Sequence, residues 1–252
     1  MPRLRFTTSV DAPLTVAFDV ARALGRPWAF PLEEIESVRP ERDRYASGPR
    51  HGRGRVTHVR RFSATGTGTR VDEELDWETG LPGPLGRFVD PVLRRRVARA
   101  MRAHLDAYAA VAERRALDVV QVVGAALVEG DQVLVAQRSG GPYDGCWEFP
   151  GGKVEPGEPE LAALVRECAE ELGVAVVPQS FLGEVPLDGV VAGGAPGAST
   201  MRVWWARVAD GEPTAHEHRQ LRWVGAGDLE SLDWIPADRP LLPAVRALLG
   251  RL

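Results

Sequence analysis

The chain has 252 residues, 44% of them hydrophobic and 26% charged, with a formal net charge of −4. It is long enough to bury one large core or two modest ones, and its charge gives no general attraction for a nucleic-acid polymer or an acidic membrane. The opening stretch MPRLRFTTSVDAPLTVAFDVARALG is interrupted by Asp11, Asp19 and Arg22, so neither a signal peptide nor a membrane span is expected. Cys146 and Cys168 have neither metal-ligand spacing nor the makings of a disulfide framework, and the expected location is a reducing cytoplasm.

In chain order, residues 3–9 (RLRFTTS) alternate as a strand does. Pro13 can open a helix, with Asp11 just before it as the candidate cap. From Pro31 to Gly54 the chain is rich in Pro, Arg and Gly without a clear period, and reads as loop with at most one edge strand. Strands are expected over 55–63 (RVTHVRRFS) and 69–77 (TRVDEELDW), joined by the glycine-rich turn ATGTG. Leu93, Val97, Met101, Leu105, Tyr108 and Ala112 then recur every three or four residues, which predicts an amphipathic helix from about Pro91 to Arg115. Its Arg94, Arg95 and Arg96 read as a solvated face, and the helix offers a contact for a homodimer.

From Val119 the texture changes. VVQVVGAALV and, after the turn EGD, QVLVAQR predict a buried hairpin. TMRVWWARV and QLRWV supply later strands. The chain therefore divides near residues 113–118 into an N-terminal α+β domain, 1–115, and a C-terminal α/β domain, 118–252.

Within the second half lies EFPGGKVEPGEPELAALVRECAEELGV, residues 148–174. On a helix over 158–172, Glu167, Glu170 and Glu171 stand at i, i+3 and i+4 on one face, while Leu161, Val165, Cys168 and Leu172 form an apolar stripe. Like charges at that spacing repel, so a cation is expected among them; an exposed, solvated acidic face is the plainer alternative. Lys153 is the sole lysine among 31 basic residues and suits a point-charge phosphate ligand.

Gly152, five residues, Glu158, seven residues, then Arg166-Glu167-Cys168-Ala169-Glu170-Glu171-Leu172-Gly173-Val174 resembles the Nudix box, G-x5-E-x7-R-E-U-x-E-E-x-G-U, where U is a bulky apolar residue. The only departure is Cys168. Oxygen ligands clustered on a helix suit Mg2+ or Mn2+, which keep waters and bridge to phosphates. Gly173 fits the position just past a helix end, and Gly151-Gly152 would let the backbone approach a metal and phosphate.

The similarity extends over roughly residues 119–250, through VLVAQR, WEFPGGKVEPGE, AHEHRQLRWV and DWIPADRPLL, and is to the MutT branch of the Nudix hydrolases, especially the CTP pyrophosphohydrolases. It implies a nucleoside triphosphate substrate, cleaved to the monophosphate and pyrophosphate by metal-assisted attack of water. It also implies metal ligands at Glu158, Glu167, Glu170, Glu171 and Glu217, with the Gly151 carbonyl among them. Glu167 or Glu217 would be the general base, with Arg166 orienting Glu167. Arg138 and Lys153 would bind phosphate, and Asp238 and Phe149 the base. An ionised Asp238 only accepts hydrogen bonds, which favours CTP, dCTP or 5-methyl-dCTP over 8-oxo-dGTP; its plainer role is a helix N-cap. The fold expected for this half is a mixed sheet sandwiched by helices. Residues 1–115 resemble the SRPBCC (START/polyketide cyclase-like) superfamily through TTSVDAPLTVAFDVA, the strand pair and the long final helix, which implies a shortened helix-grip fold and a small apolar ligand.

Overall fold

The computed structural model describes residues 3–28, 31–47, 55–78, 84–187 and 199–251. The chain separates into two compact units, Met1–Asp118 and Val119–Leu252.

The N-terminal unit is mostly β. Its elements are β1 (Arg3–Val10), α1 (Leu14–Ala23), β2 (Glu33–Val38), β3 (Arg42–Ala46), β4 (Arg55–Thr65), β5 (Gly68–Glu78) and α2 (Pro84–Ala116). The strands form one antiparallel sheet in the order β1-β5-β4-β3-β2. One row of β4 and β5, including Phe62, Val71, Leu75 and Trp77, is buried, as are Phe18 of α1 and Met101, Leu105 and Tyr108 of α2. Phe18 meets Phe62 edge-on at 5.2 Å.

Three expectations are corrected here. Pro31–Gly54 contributes a two-stranded hairpin, β2–β3, where at most one edge strand was expected; residues 48–54 lie outside the described residues. Nearly every side chain of β2 is exposed, so there is no apolar alternation to read; one diagonal contact across the hairpin is ionic, Arg42 to Glu36 at 2.6 Å. The long helix begins at Pro84, not near Pro91, which lies within it. Finally, α1 opens with Pro13 at its N-cap position and without a side-chain cap, so Asp11 does not cap it.

The C-terminal unit contains β6 (Val120–Glu129), β7 (Gln132–Gln137), β8 (Trp147–Glu148), α3 (Glu160–Leu172), β9 (Ala175–Pro186), β10 (Ser199–Asp210), β11 (Gln220–Gly225) and α4 (Leu242–Leu249). Its sheet runs β11-β7-β6-β10-β9, with β8 on β7. Only β10 and β6 are parallel, so the sheet is mixed. One face packs Val135, Phe149 and Val203 against Trp234, Leu241 and Val245 on the α4 side. The other packs Val123, Ala125, Leu127 and Trp204 against Ala163, Leu164, Cys168 and Leu172 of α3. Helices thus cover both faces, as the sequence implied. The buried stripe of α3 differs from the expected one: Leu161 and Val165 are 40% and 36% exposed, and Ala163 and Leu164 are buried instead.

Strand β9 escaped the sequence reading. Pro178 and Gly183 interrupt it, and its register with β10 shifts three times; Pro is tolerated there because β9 is an edge strand. Among the described residues, no helix is long and apolar enough to cross a membrane.

Candidate active site

The site is built where the turn after β8 runs alongside β6. The Ala125 N–H donates to Pro150 O at 2.8 Å, and Val123 N–H to Gly152 O at 2.9 Å. Gly151 has φ +148°, and a Cβ there would stand 2.1 Å from Val123 O; an L side chain is excluded by both strain and space. Its N–H donates to Glu171 Oε2 at 2.9 Å. At Gly152 a Cβ would fall 2.4 Å from the carboxyl carbon of Glu167. Two successive glycines therefore bring the backbone against two carboxylates of α3.

Helix α3 ends at Gly173, with φ 70°. A returning loop is tied to that end: Thr214 N–H donates to Leu172 O at 2.9 Å and His216 N–H to Glu171 O at 3.0 Å. This anchoring carries Glu217 to the acidic face, where its charge acts on Glu167. Residues 216–218 form a bend before β11.

Arg166 organises the carboxylates. It donates from Nε to Glu158 Oε1 and from Nη2 to Glu158 Oε2, both at 3.0 Å. Nη1 reaches Glu167 Oε1 and Glu170 Oε2, each at 3.0 Å, and Nη2 also reaches Lys153 O at 3.0 Å. The hydrogen bond from Arg166 holds the Glu158 carboxyl below its ordinary range. Glu167 is pushed up, first by burial and then by the charges of Glu170 and Glu217, against the pull of Arg166. Burial pushes Glu171 to about 7, with Glu167 and Glu148 adding repulsion, while His218 and the Gly151 N–H oppose it.

Beside this face opens a cavity of about 350 Å3, lined in part by Arg138, Glu148, Phe149, Gly151, Gly152 and Lys153, and closed across by Ile235, Pro236 and Ala237. Arg138 pairs with Glu148. His218 Nε2 lies 3.5 Å from Glu148 Oε1, and its Nδ1 is buried without a partner. Phe149 packs on Trp234 at 5.0 Å between ring centroids. Glu148 was not singled out from sequence, whereas His216 and His218 read as packing or hydrogen-bonding groups flanking Glu217; the signal available for Glu148 was its position, ten residues from Arg138 across the β7–β8 pairing.

Asp238 is placed differently from the expectation. It is fully buried, its Oδ2 accepts the Phe149 N–H at 2.8 Å, and its Oδ1 has no partner. Burial pushes its carboxyl to about 8, so the neutral acid, which can also donate, is favoured at neutral pH. It occupies the N-cap position of a short 3-10 turn but makes no side-chain cap there.

Among the described residues no three carboxylate, imidazole or thiol groups form a ready-made metal cage. Mg2+ and Mn2+ keep several waters when bound and take oxygen ligands such as carboxylates and carbonyls. Half-buried carboxylates that repel one another, beside the cavity-lining Gly151 and Gly152, are the donor chemistry those ions take.

A mixed sheet covered on both faces by helices thus carries a glycine turn set against a carboxylate helix, beside a cavity. The NUDIX domain model matches residues 119–245, and the chain belongs to that family. A Mycobacterium tuberculosis protein provisionally named 8-oxo-dGTP diphosphatase 2 is 47% identical over 119 residues, covering 47% of this chain and 82% of its own length. The CTP pyrophosphohydrolase of Escherichia coli is 35% identical over 133 residues, covering 52% and 95%. A crystal structure of a MutT NUDIX hydrolase from Burkholderia pseudomallei is 33% identical with a TM-score of 0.45, covering 50% of this chain and 97% of that one.

Proposed function

We propose that the C-terminal unit is a Mg2+- or Mn2+-dependent, MutT-like nucleoside triphosphate pyrophosphohydrolase that converts a (d)NTP and water to a (d)NMP and pyrophosphate. The observation that carries this reading is the pairing of Gly151 with Glu171 and of Gly152 with Glu167 at the wall of a cavity that also holds Arg138 and Lys153. The names of the two relatives, both for nucleoside triphosphate substrates, support it.

In this reading Glu158, Glu167, Glu170, Glu171, Glu217 and the Gly151 carbonyl hold the metal. When bound, the metal lowers the pKa of a coordinated water and neutralises phosphoryl charge. Arg138 and Lys153 orient the phosphates. Glu167, raised towards a useful range by burial, takes the proton of the attacking water; Glu217, close enough to influence it, is the other candidate. Arg166 keeps Glu167 oriented through its Nη1 bond.

Phe149 and Asp238 are assigned to the base. The first reading is cytidine nucleotides (CTP, dCTP, 5-methyl-dCTP), whose exocyclic amine would donate to an accepting Asp238. The second is 8-oxo-dGTP, favoured by a buried, neutral Asp238 that also donates and by the name of the more similar relative. The deciding experiment is pyrophosphate release from CTP, dCTP, 5-methyl-dCTP, 8-oxo-dGTP and dGTP with Mg2+, in wild type and Asp238→Asn. Cytidine turnover that falls in the variant supports the first reading, and dominant 8-oxo-dGTP turnover supports the second. Silence on all five overturns the activity.

The domain assignment belongs to the same proposal: a START-like helix-grip unit over 1–115 and a NUDIX unit over 118–252. The order β1-β5-β4-β3-β2 and the closing helix α2 support the first.

A further inference from the structure

The N-terminal unit buries an ionic cluster that the hydrolase reading leaves unused. Asp43 is fully buried and serves two guanidinia. Arg60 grips it with Nε to Oδ1 at 3.0 Å and Nη2 to Oδ2 at 2.6 Å, and Arg26 adds Nη2 to Oδ1 at 2.8 Å. The other buried carboxylate, Glu73, is engaged by His58 Nε2 at 2.7 Å. On the Asp43 side, two positive charges therefore share one negative one.

Arg26 also lines a cavity of about 420 Å3, with Arg22, Trp28, Pro31, Leu32 and Tyr45. Its side chain is 8% exposed, yet its Nε is buried with no hydrogen-bond partner. The guanidinium sits 3.3 Å from the centroid of the Tyr45 ring. Burial, and then the nearby Arg60, lower the Arg26 pKa, so a further anion would relieve it. At the rim, Arg22 pairs with Glu34 at 2.8 Å, with side-chain exposures of 35% and 40%. An exposed pair of this kind contributes little by itself; Arg22 also donates to Ser37 Oγ at 2.6 Å and Glu34 also accepts from the Tyr45 hydroxyl, so an incoming anion must displace Glu34 from both Arg22 and Tyr45.

From this geometry we propose that the cavity binds a small oxyanion, carboxylate or phosphate, carried on a planar apolar body. The arginines meet the charge, while Trp28, Tyr45, Pro31 and Leu32 supply flat apolar walls that a bare ion would leave wet. Such a ligand differs from the wholly apolar one that the superfamily resemblance implies.

Titration calorimetry on the full chain, in EDTA so that the NUDIX site holds no metal, tests this with phenyl phosphate, benzoate, inorganic phosphate and benzyl alcohol. Saturable binding of phenyl phosphate or benzoate is expected, and which of the two binds tighter identifies the head group. Inorganic phosphate should bind more weakly and benzyl alcohol not measurably. Arg22→Gln should weaken the aromatic anion about tenfold, as for one lost charge-assisted hydrogen bond. Trp28→Leu should also weaken it, and Glu170→Gln in the other unit should leave it unchanged. Arg22→Gln and Trp28→Leu decide the matter if Arg26→Gln fails to fold. The proposal is overturned if no aromatic anion saturates by about 10 mM, if benzyl alcohol binds equally well, if inorganic phosphate binds as tightly as phenyl phosphate, or if Arg22→Gln and Trp28→Leu change nothing.

Discussion

The Gly151 N–H donates to the Glu171 carboxylate at 2.9 Å from a backbone conformation, φ +148°, that L residues rarely adopt. The neighbouring glycine is constrained differently: a Cβ on Gly152 would meet the mobile end of the Glu167 side chain, whereas one on Gly151 would meet the backbone carbonyl of Val123. The two alanine variants should therefore fail in different ways. Gly151→Ala should lose about 3 kcal/mol of stability, from strain and backbone displacement. Gly152→Ala should keep its denaturation midpoint but lose on the order of 10²-fold in turnover by displacing Glu167. Urea denaturation and steady-state kinetics on both variants check this; equal stability losses would contradict it.

Glu171 gives the site a signature in stability against pH. Its folded pKa, about 7, lies above the ordinary 4.5, so the folded state holds its proton more tightly than the unfolded one. The destabilisation is absent below about 4.5 and complete above about 7, and stability from this group falls as pH rises between them. In EDTA at pH 8.5, Glu171→Gln should be more stable than wild type by on the order of 2 kcal/mol. It should also lose the stabilisation by added Mg2+ that is expected of wild type. Melting curves of both proteins with and without Mg2+ measure the two effects, and a destabilised variant in EDTA would refute the assignment.

The planar fork of Arg166 donates to Glu158, Glu167 and Glu170 together, and in the proposed function it positions them. A lysine has a single ammonium and cannot span them. Arg166→Lys should reduce turnover about 10- to 100-fold, with raised Mg2+ demand and a smaller change in substrate KM. A Mg2+ titration of the rate separates this role from a general loss of fold, which would lower activity without altering the Mg2+ midpoint.

Much of the site could be read from sequence because its residues follow one another along a turn and a single helix. Glu158, Arg166, Glu167, Glu170 and Glu171 have a fixed spacing, and helical geometry alone puts the last three on one face. What could not be read depended on distant partners. Glu217 was named only through the family resemblance, because the bonds from Thr214 and His216 to the end of α3 that carry it to the helix have no local pattern, and Glu148, which meets His218 across the fold, was missed. Asp238 read as an ionised base contact, or more plainly as a helix N-cap, because its complete burial and its bond to the Phe149 N–H leave no trace in local sequence. The hairpin β2–β3 and the strand β9 were read incompletely because nearly every side chain of β2 is exposed, and β9 carries Pro178 and Gly183 and shifts register three times, so neither β2 nor β9 shows a clean period-two alternation.

In the N-terminal unit, the fully buried Asp43 is held by two guanidinia, those of Arg26 and Arg60. Although burial opposes its ionisation, the hydrogen bonds and charges of Arg60 and Arg26 hold its pKa below the ordinary 3.8. An acid whose folded pKa is depressed stabilises the fold above its unfolded value, and that stability is lost as pH falls through the folded pKa. Asp43→Asn removes the anion and strands two buried guanidinia, which should cost about 3–5 kcal/mol. The variant should also lose the part of the acid-unfolding transition below pH ~4 that Asp43 contributes in wild type. Denaturant titrations at pH 7 and pH 3.5 test both consequences: the gap between wild type and Asp43→Asn should be wide at the first and narrower at the second. A gap that is the same at both would show that Asp43 acts through packing and not through its charge.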